Sequence, residues 1–218
     1  MEINAQQFDN IARTIFAPIY PVIAEQIIAY TGVIRGTCLD IGCGSGYLGG
    51  ALARSTELFV QFFDNSAEML VLAERTIEEN GLQRRADTLP GEVTSIPMPY
   101  GSVDLAVSRG SIFFWDDMPQ AFREIYRVLA PGGFAYIGGG FGSKVLRESI
   151  KKQMAARNSG CNRFGEKMRN NLGPEMRSRF QEALEAAGIP DYSILHGEDI
   201  GLWIVMRKKE SIRISILK

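Results

Sequence analysis

The segment Asp40-Ile41-Gly42-Cys43-Gly44-Ser45-Gly46 constrains this chain more than any other. Three glycines in five residues follow the β-type run Thr37–Ile41 and precede a stretch of helical spacing, Gly46–Arg54, which predicts a strand turning at once into a helix. Such a turn lets backbone approach a ligand closely, and the helix start beyond it offers unpaired N–H groups.

From residue 37 to 138, short β-branched or aromatic runs alternate with stretches of helical spacing, the pattern of β-α-β units. The expected strands are 37–41, 57–63, 86–91, 103–108 and 134–138, followed by a closing pair at 192–195 and 202–206. The expected helices include one capped by Asn65 or Ser66 and ending before Gly81. Another runs from Met118 to Leu129 and stops at Ala130-Pro131-Gly132-Gly133, and a third from Gly173-Pro174 to Ala187-Gly188. The fold class that follows is α/β: a Rossmann-like, open twisted seven-stranded sheet, mostly parallel with an antiparallel last strand, and helices on both faces.

The 218 residues, 45% hydrophobic and 22% charged, suit one domain with a substantial core, taken here as 1–218. Apolar runs are broken well before the roughly 18 residues of a membrane span, and the N-terminus lacks a basic-then-apolar signal pattern, so a cytoplasmic location is the default expectation. Cys38, Cys43 and Cys161 are odd in number and widely spaced, suggesting reduced thiols with neither a disulfide framework nor a metal site. The net charge of -1 conceals an asymmetry. Residues 1–140 carry 9 Arg and no Lys against 16 acidic groups, whereas residues 141–180 carry 10 basic against 3 acidic. That segment can attract anions or be a solvated helical face.

The glycine loop alone does not settle a cofactor, because Gly44-x-Gly46-x-x-Gly49 also satisfies the dinucleotide fingerprint of NAD or FAD domains. Asp64, at the end of the second strand and 18 residues after Gly46, fits a ribose acceptor for either cofactor or a helix N-cap.

Further along, the pattern becomes specific. Phe8-Asp9-x-x-Ala12, Leu39–Gly46, Asp64, Gly91-Glu92-Val93, Ile96-Pro97, Val103-Asp104 and Phe122-Arg123-Glu124-Ile125-x-Arg127-Val128-Leu129-Ala130-Pro131-Gly132-Gly133 occur in this order. Over residues 8–138 the chain resembles the class I S-adenosylmethionine (SAM)-dependent methyltransferases, particularly the small-molecule branch that includes enzymes of ubiquinone and menaquinone biosynthesis. The resemblance implies SAM as cofactor, S-adenosylhomocysteine (SAH) as product, and a small-molecule substrate. It implies that Gly42, Cys43, Gly44 and Gly46 bend around the methionine portion, with Asp40 and the carbonyl of Ser108 near the ammonium group. Asp64 would hold the ribose, with Asn65 and Met69 beside the nucleoside, and Glu92 and Val93 would face the adenine. The family usually carries Asp where Glu92 stands.

In related enzymes the region around Phe16–Pro21 folds over the cofactor, which makes residues 8–30 the expected lid and Tyr20 a candidate contact; a core aromatic between two helix halves is the structural alternative. Ser108–Asp117 departs from the common family form. Arg109, Phe113 and Trp115 are candidates for clamping an anionic or planar substrate, or packing residues with Arg109 paired to Asp116 or Asp117. The basic insertion at about 141–173 is the expected substrate cap. The sole histidine, His196, can in principle serve as a base, yet displacement at a sulfonium can proceed by alignment alone, and no catalytic residue is assigned. Scattered Arg and Lys with only Phe164 among them make a poor stacking platform, so nucleic acid is not expected as a partner. Competing readings are methylation of RNA or protein, methylation of a metalloid through thiols, and a non-catalytic SAM-binding domain.

Overall fold

A computed structural model describes residues 4–157 and 163–210; Cys161 and part of the basic insertion lie outside the described residues. Seven strands, β1 (Arg35–Ile41), β2 (Glu57–Asp64), β3 (Ala86–Pro90), β4 (Val103–Arg109), β5 (Leu129–Gly139), β6 (Tyr192–Gly197) and β7 (Gly201–Arg207), form one sheet in the order β3-β2-β1-β4-β5-β7-β6. β1 to β5 are mutually parallel, and β7 pairs antiparallel with both β5 and β6. The class expected from the sequence is therefore the one found. Strand order reverses between β1 and β4, the switch point where ligands of open α/β sheets bind, outside the carboxyl ends of the strands.

The central strands are buried on both faces, and each face has its own core. On one face, α2 (Ile19–Thr31), α3 (Tyr47–Ser55), α4 (Ala67–Glu79) and α6 (Lys144–Arg157) contribute Ile23, Leu52, Ala73 and Ile150 against Val60, Phe62, Leu105 and Val107. On the other, α5 (Met118–Val128) and α8 (Pro174–Ala187) set Phe122, Ile125, Phe180 and Leu184 against Leu39, Ala106, Ile137 and Ile204. A further helix, α7 (Arg163–Leu172), follows α6. Caps fix the helix ends. Ser66 accepts from the Met69 N–H, Asp117 from the Gln120 N–H, and Gly188 ends α8 in the left-handed region.

Two features differ from the sequence expectation. Helix α1 (Ala5–Ile11) runs into a π-helical turn at Ala12–Phe16, whereas the 75° bend between this arm and α2 falls at the expected helix break, Phe16–Pro21. No single described helix is long and apolar enough to cross a membrane. β5 starts five residues earlier than expected because Pro131-Gly132-Gly133 is wound into the strand and does not precede it. Val103 pairs with Leu129, Leu105 pairs with Phe134, and the intervening residues bulge. A methyl group on residue 133 would lie 2.9 Å from the Ala130 carbonyl oxygen and 3.0 Å from that of Val103, both backbone atoms. Gly133→Ala is expected to destabilise the fold by about 1–3 kcal/mol, read as a lower midpoint in urea unfolding.

Candidate active site

Above β1 the chain turns through Gly42, Gly44 and Gly46, whose φ angles of 61°, 54° and 78° belong to the left-handed region. The loop is anchored from two sides. The Phe63 carbonyl accepts from the Gly42 and Cys43 N–H groups at 2.8 and 3.1 Å, and Asp64 Oδ2 accepts from the Gly44 N–H at 2.9 Å. Ser111 Oγ lies under Gly42, donates to the Ile41 carbonyl at 3.1 Å and pairs with Ser108 Oγ at 2.6 Å. Ser108 is thereby fully buried behind the loop.

A cleft opens over this loop. Asp40, Gly42, Cys43, Gly44 and Ser45 form its floor, Tyr47 and Leu48 at the start of α3 one side, and Phe8, Ala12 and Tyr20 its roof, with Arg109 at the rim. The roof is held down by a hydrogen bond from Tyr47 Oη to Oδ1 of the buried Asp9, 2.7 Å long. Burial, strengthened by the Asp9 bond, pushes the Tyr47 hydroxyl pKa well up. Asp40 Oδ2 accepts from the Gly49 N–H at 2.9 Å, but burial outweighs that bond, and with Asp64 nearby the carboxyl is raised from 3.8 to about 7.

Arg109 leaves the tip of β4 and donates from Nε to the Gly140 carbonyl at 3.2 Å. Its guanidinium carbon stands 5.0 Å from the ring centre of Phe16, 5.7 Å from Tyr20 and 5.9 Å from Phe141. Phe164 of α7 closes on Phe16 and Phe141 at 6.1 and 6.3 Å. Burial lowers the pKa of Arg109, which at neutral pH remains a cation in an aromatic enclosure.

The remaining candidates form a second group at the tips of β2 and β3. Asp64 Oδ1 accepts from the Ser66 N–H, while Asn65 Nδ2 donates to both Glu92 oxygens at 3.2 and 3.3 Å. Met69 lies in the first turn of α4, half-buried, and Val93 packs toward the second core. Phe113 and Trp115 are placed differently from Arg109: Phe113 stacks on Phe180 and Trp115 meets Phe122 edge to face in the second core, on the opposite face of the sheet. Gly46 is packed against Phe62 behind the loop. His196 is exposed on the outermost strand, β6. In the basic insertion, Lys144 and Arg147 pair with Glu198, Lys151 with Glu148, and Lys167 stands over Phe114.

Sequence reasoning gave no role to Asp9, Tyr47, Ser111, Phe16 or Phe141. The only signals were indirect: Asp9 lies in the motif Phe8-Asp9-x-x-Ala12, and Phe16 and Phe141 flank segments marked by Pro and Gly.

The strand order and a glycine turn at the switch point define a Rossmann-like fold of the class I methyltransferase type. Residues 39–137 match the family model described as Methyltransferase domain. A structure from Methanococcus maripaludis assigned to the S-adenosyl-L-methionine-dependent methyltransferases superposes with a TM-score of 0.90 and 42% identity, covering 98% of this chain and 97% of that one. The uncharacterized methyltransferase YdaC of Bacillus subtilis is 30% identical over 129 residues, 58% of this chain and 69% of its own length. A malonyl-[acyl-carrier protein] O-methyltransferase of Pectobacterium atrosepticum is 32% identical over 120 residues, which span 54% of this chain and 44% of that protein. The chain belongs to the SAM-dependent methyltransferases.

The raised pKa of Asp40 carries a stability consequence. In the unfolded chain this carboxyl ionises near 3.8, in the fold near 7. The folded state therefore retains the proton through that window, and the stability present below pH 4 is lost as pH rises to 7, by on the order of 4 kcal/mol. Asp40→Asn is expected to flatten the melting temperature of the ligand-free protein between pH 5 and 8, measured by calorimetry against the parent chain.

Proposed function

We propose that this protein transfers the methyl group of SAM to a small anionic or aromatic molecule that binds beside Arg109. The observation that carries the reading is the placement of the Arg109 guanidinium, enclosed by Phe16, Tyr20 and Phe141, at the rim of the cleft whose floor is Asp40 and the glycine loop.

The residues present fit SAM. The loop presents backbone to the cleft, where a side chain at residue 44 would crowd the Phe8 ring of the roof, and Asp40 supplies a buried carboxylate suited to an ammonium group. The tips of β2 and β3 carry Asp64 and Glu92 for a ribose and an adenine. When bound, SAM supplies an electrophilic methyl on a cationic sulfur. The protein's share is alignment and exclusion of water, done by the loop below and by the arm 5–16 above, which is held closed by the Asp9–Tyr47 bond. No general base is required by a displacement with so good a leaving group.

Charge argues for the acceptor class. A second cation, Arg109, beside a sulfonium in a poorly solvated cleft is unfavourable unless an anion lies between them. An anionic acceptor satisfies both, and the surrounding rings favour a planar one. The malonyl-[acyl-carrier protein] relative indicates that an acidic acceptor is compatible with the family.

Incubation of cell extract with labelled SAM, fractionated into small molecules, RNA and protein, tests the reading; label in RNA or protein, or in none, overturns the acceptor assignment. With the acceptor in hand, Arg109→Lys is expected to raise its KM by tenfold or more, because an ammonium cannot reproduce the planar fork, while SAH affinity changes less than threefold. Tyr47→Phe, which removes the roof hydrogen bond, is expected to raise the SAH dissociation rate several-fold in stopped-flow measurements.

A further inference from the structure

The β3–β4 connection, residues 91–102, leaves the sheet and so loses its ladder partners, yet its backbone groups still require them. Some bond to other backbone groups, and three side chains of α5 supply partners for residues 94, 96 and 98. Gln120 Nε2 donates to the Thr94 carbonyl at 3.1 Å. Glu124 Oε2 accepts from the Ile96 N–H at 2.9 Å. Arg127 donates to the Ile96 carbonyl at 2.8 Å and to the Met98 carbonyl at 2.9 Å, and is itself locked to Glu124 by contacts of 2.7 and 2.8 Å.

The match is geometric. Residues 120, 124 and 127 share one helix face, with steps of about 6 and 4.5 Å along the axis. The facing segment is a looped one: residues 93 and 94 form a turn, and the Ile96 carbonyl also accepts from the Met98 N–H at 2.8 Å, which leaves the Thr94, Ile96 and Met98 carbonyls within reach of that helix face. The polar edge of α5 thus braces this loop through four side-chain hydrogen bonds. The hydrophobic side of the same segment is fixed as well, since Ile96 is only 3% exposed within the second core. At the near end of this braced segment stand Glu92 and Val93, whose position depends on where Thr94 is held.

We propose that Gln120, Glu124 and Arg127 are positioning residues for the adenine end of the cofactor site, acting through the 94–98 segment on Glu92. The proposal rests on the reading of Glu92 as the acceptor for the adenine amino group. A purely structural brace would lower stability without changing which base the site prefers.

The test uses the full chain and two ligands, SAH and S-inosylhomocysteine, whose 6-oxo group cannot donate to a carboxylate. The parent protein is expected to prefer SAH by tenfold or more in calorimetric titration. Glu92→Gln, offering donor and acceptor alike, is expected to abolish that preference. Arg127→Gln is expected to weaken SAH binding about tenfold and to reduce the preference to near that of Glu92→Gln. Gln120→Ala, which leaves the ion pair and the core untouched, is expected to reduce it about threefold, and it decides the matter if Arg127→Gln does not fold. Should Glu92→Gln lose the preference while the α5 variants keep it in full, the positioning role is overturned. Should Glu92→Gln itself keep it, the adenine reading falls, and the proposal with it.

Discussion

Helix α3 lies close enough to the sheet to aim its first turn at the cleft because residue 49 has no side chain. A methyl group there would stand 2.5 Å from Phe62, 2.8 Å from Asp40 Oδ2 and 2.9 Å from Val60, all packed groups. The same approach brings the Gly49 N–H within bonding distance of Asp40, removes that carboxylate from water and raises its pKa. Helix packing and the electrostatics of the cleft floor therefore share one cause. The nested dinucleotide-like pattern Gly44-x-Gly46-x-x-Gly49 has a packing reason here that is indifferent to the cofactor, which is why it could not identify one.

Much of the fold was legible because parallel strands buried on both faces read as apolar runs, and because Ser66, Pro174 and Gly188 mark helix ends by local chemistry. The start of β5 was not legible. Pro and Gly normally end an element, and only the register of the neighbouring strand, with a bulge opposite Val103–Leu105, lets Pro131-Gly132-Gly133 remain inside one. The π turn at Ala12–Phe16 was likewise hidden, since nothing in its composition distinguishes it from an α-helix.

In the site, residues tied to backbone geometry could be read from the sequence, and residues tied to tertiary meeting could not. Phe113 and Trp115 adjoin Arg109 in sequence, but the short 3-10 turn at Ile112–Phe114 carries them to the opposite face of the sheet. The rings that enclose Arg109 come instead from positions 16, 20 and 141, assembled where the bent arm crosses the end of β5. Contiguity of aromatics in a chain carries no information about which side of a sheet they serve.

These placements divide the site into parts with different rigidity. The floor is set by the sheet and by Gly49 packing, and the 94–98 segment by three polar side chains of α5. The roof is attached through a bent arm, by the Asp9–Tyr47 hydrogen bond and by the packing of Ile15 and Phe16. Arg109 belongs to both parts: its backbone is in β4, and two of its aromatic neighbours, Phe16 and Tyr20, stand on either side of the bend. Lifting the arm would remove Phe16 from the guanidinium and return part of it to water, weakening its hold on any anion. If the acceptor is the anion proposed above, closure of the roof and its recognition would be coupled through Arg109, the cation reaching its full strength only with the cleft shut.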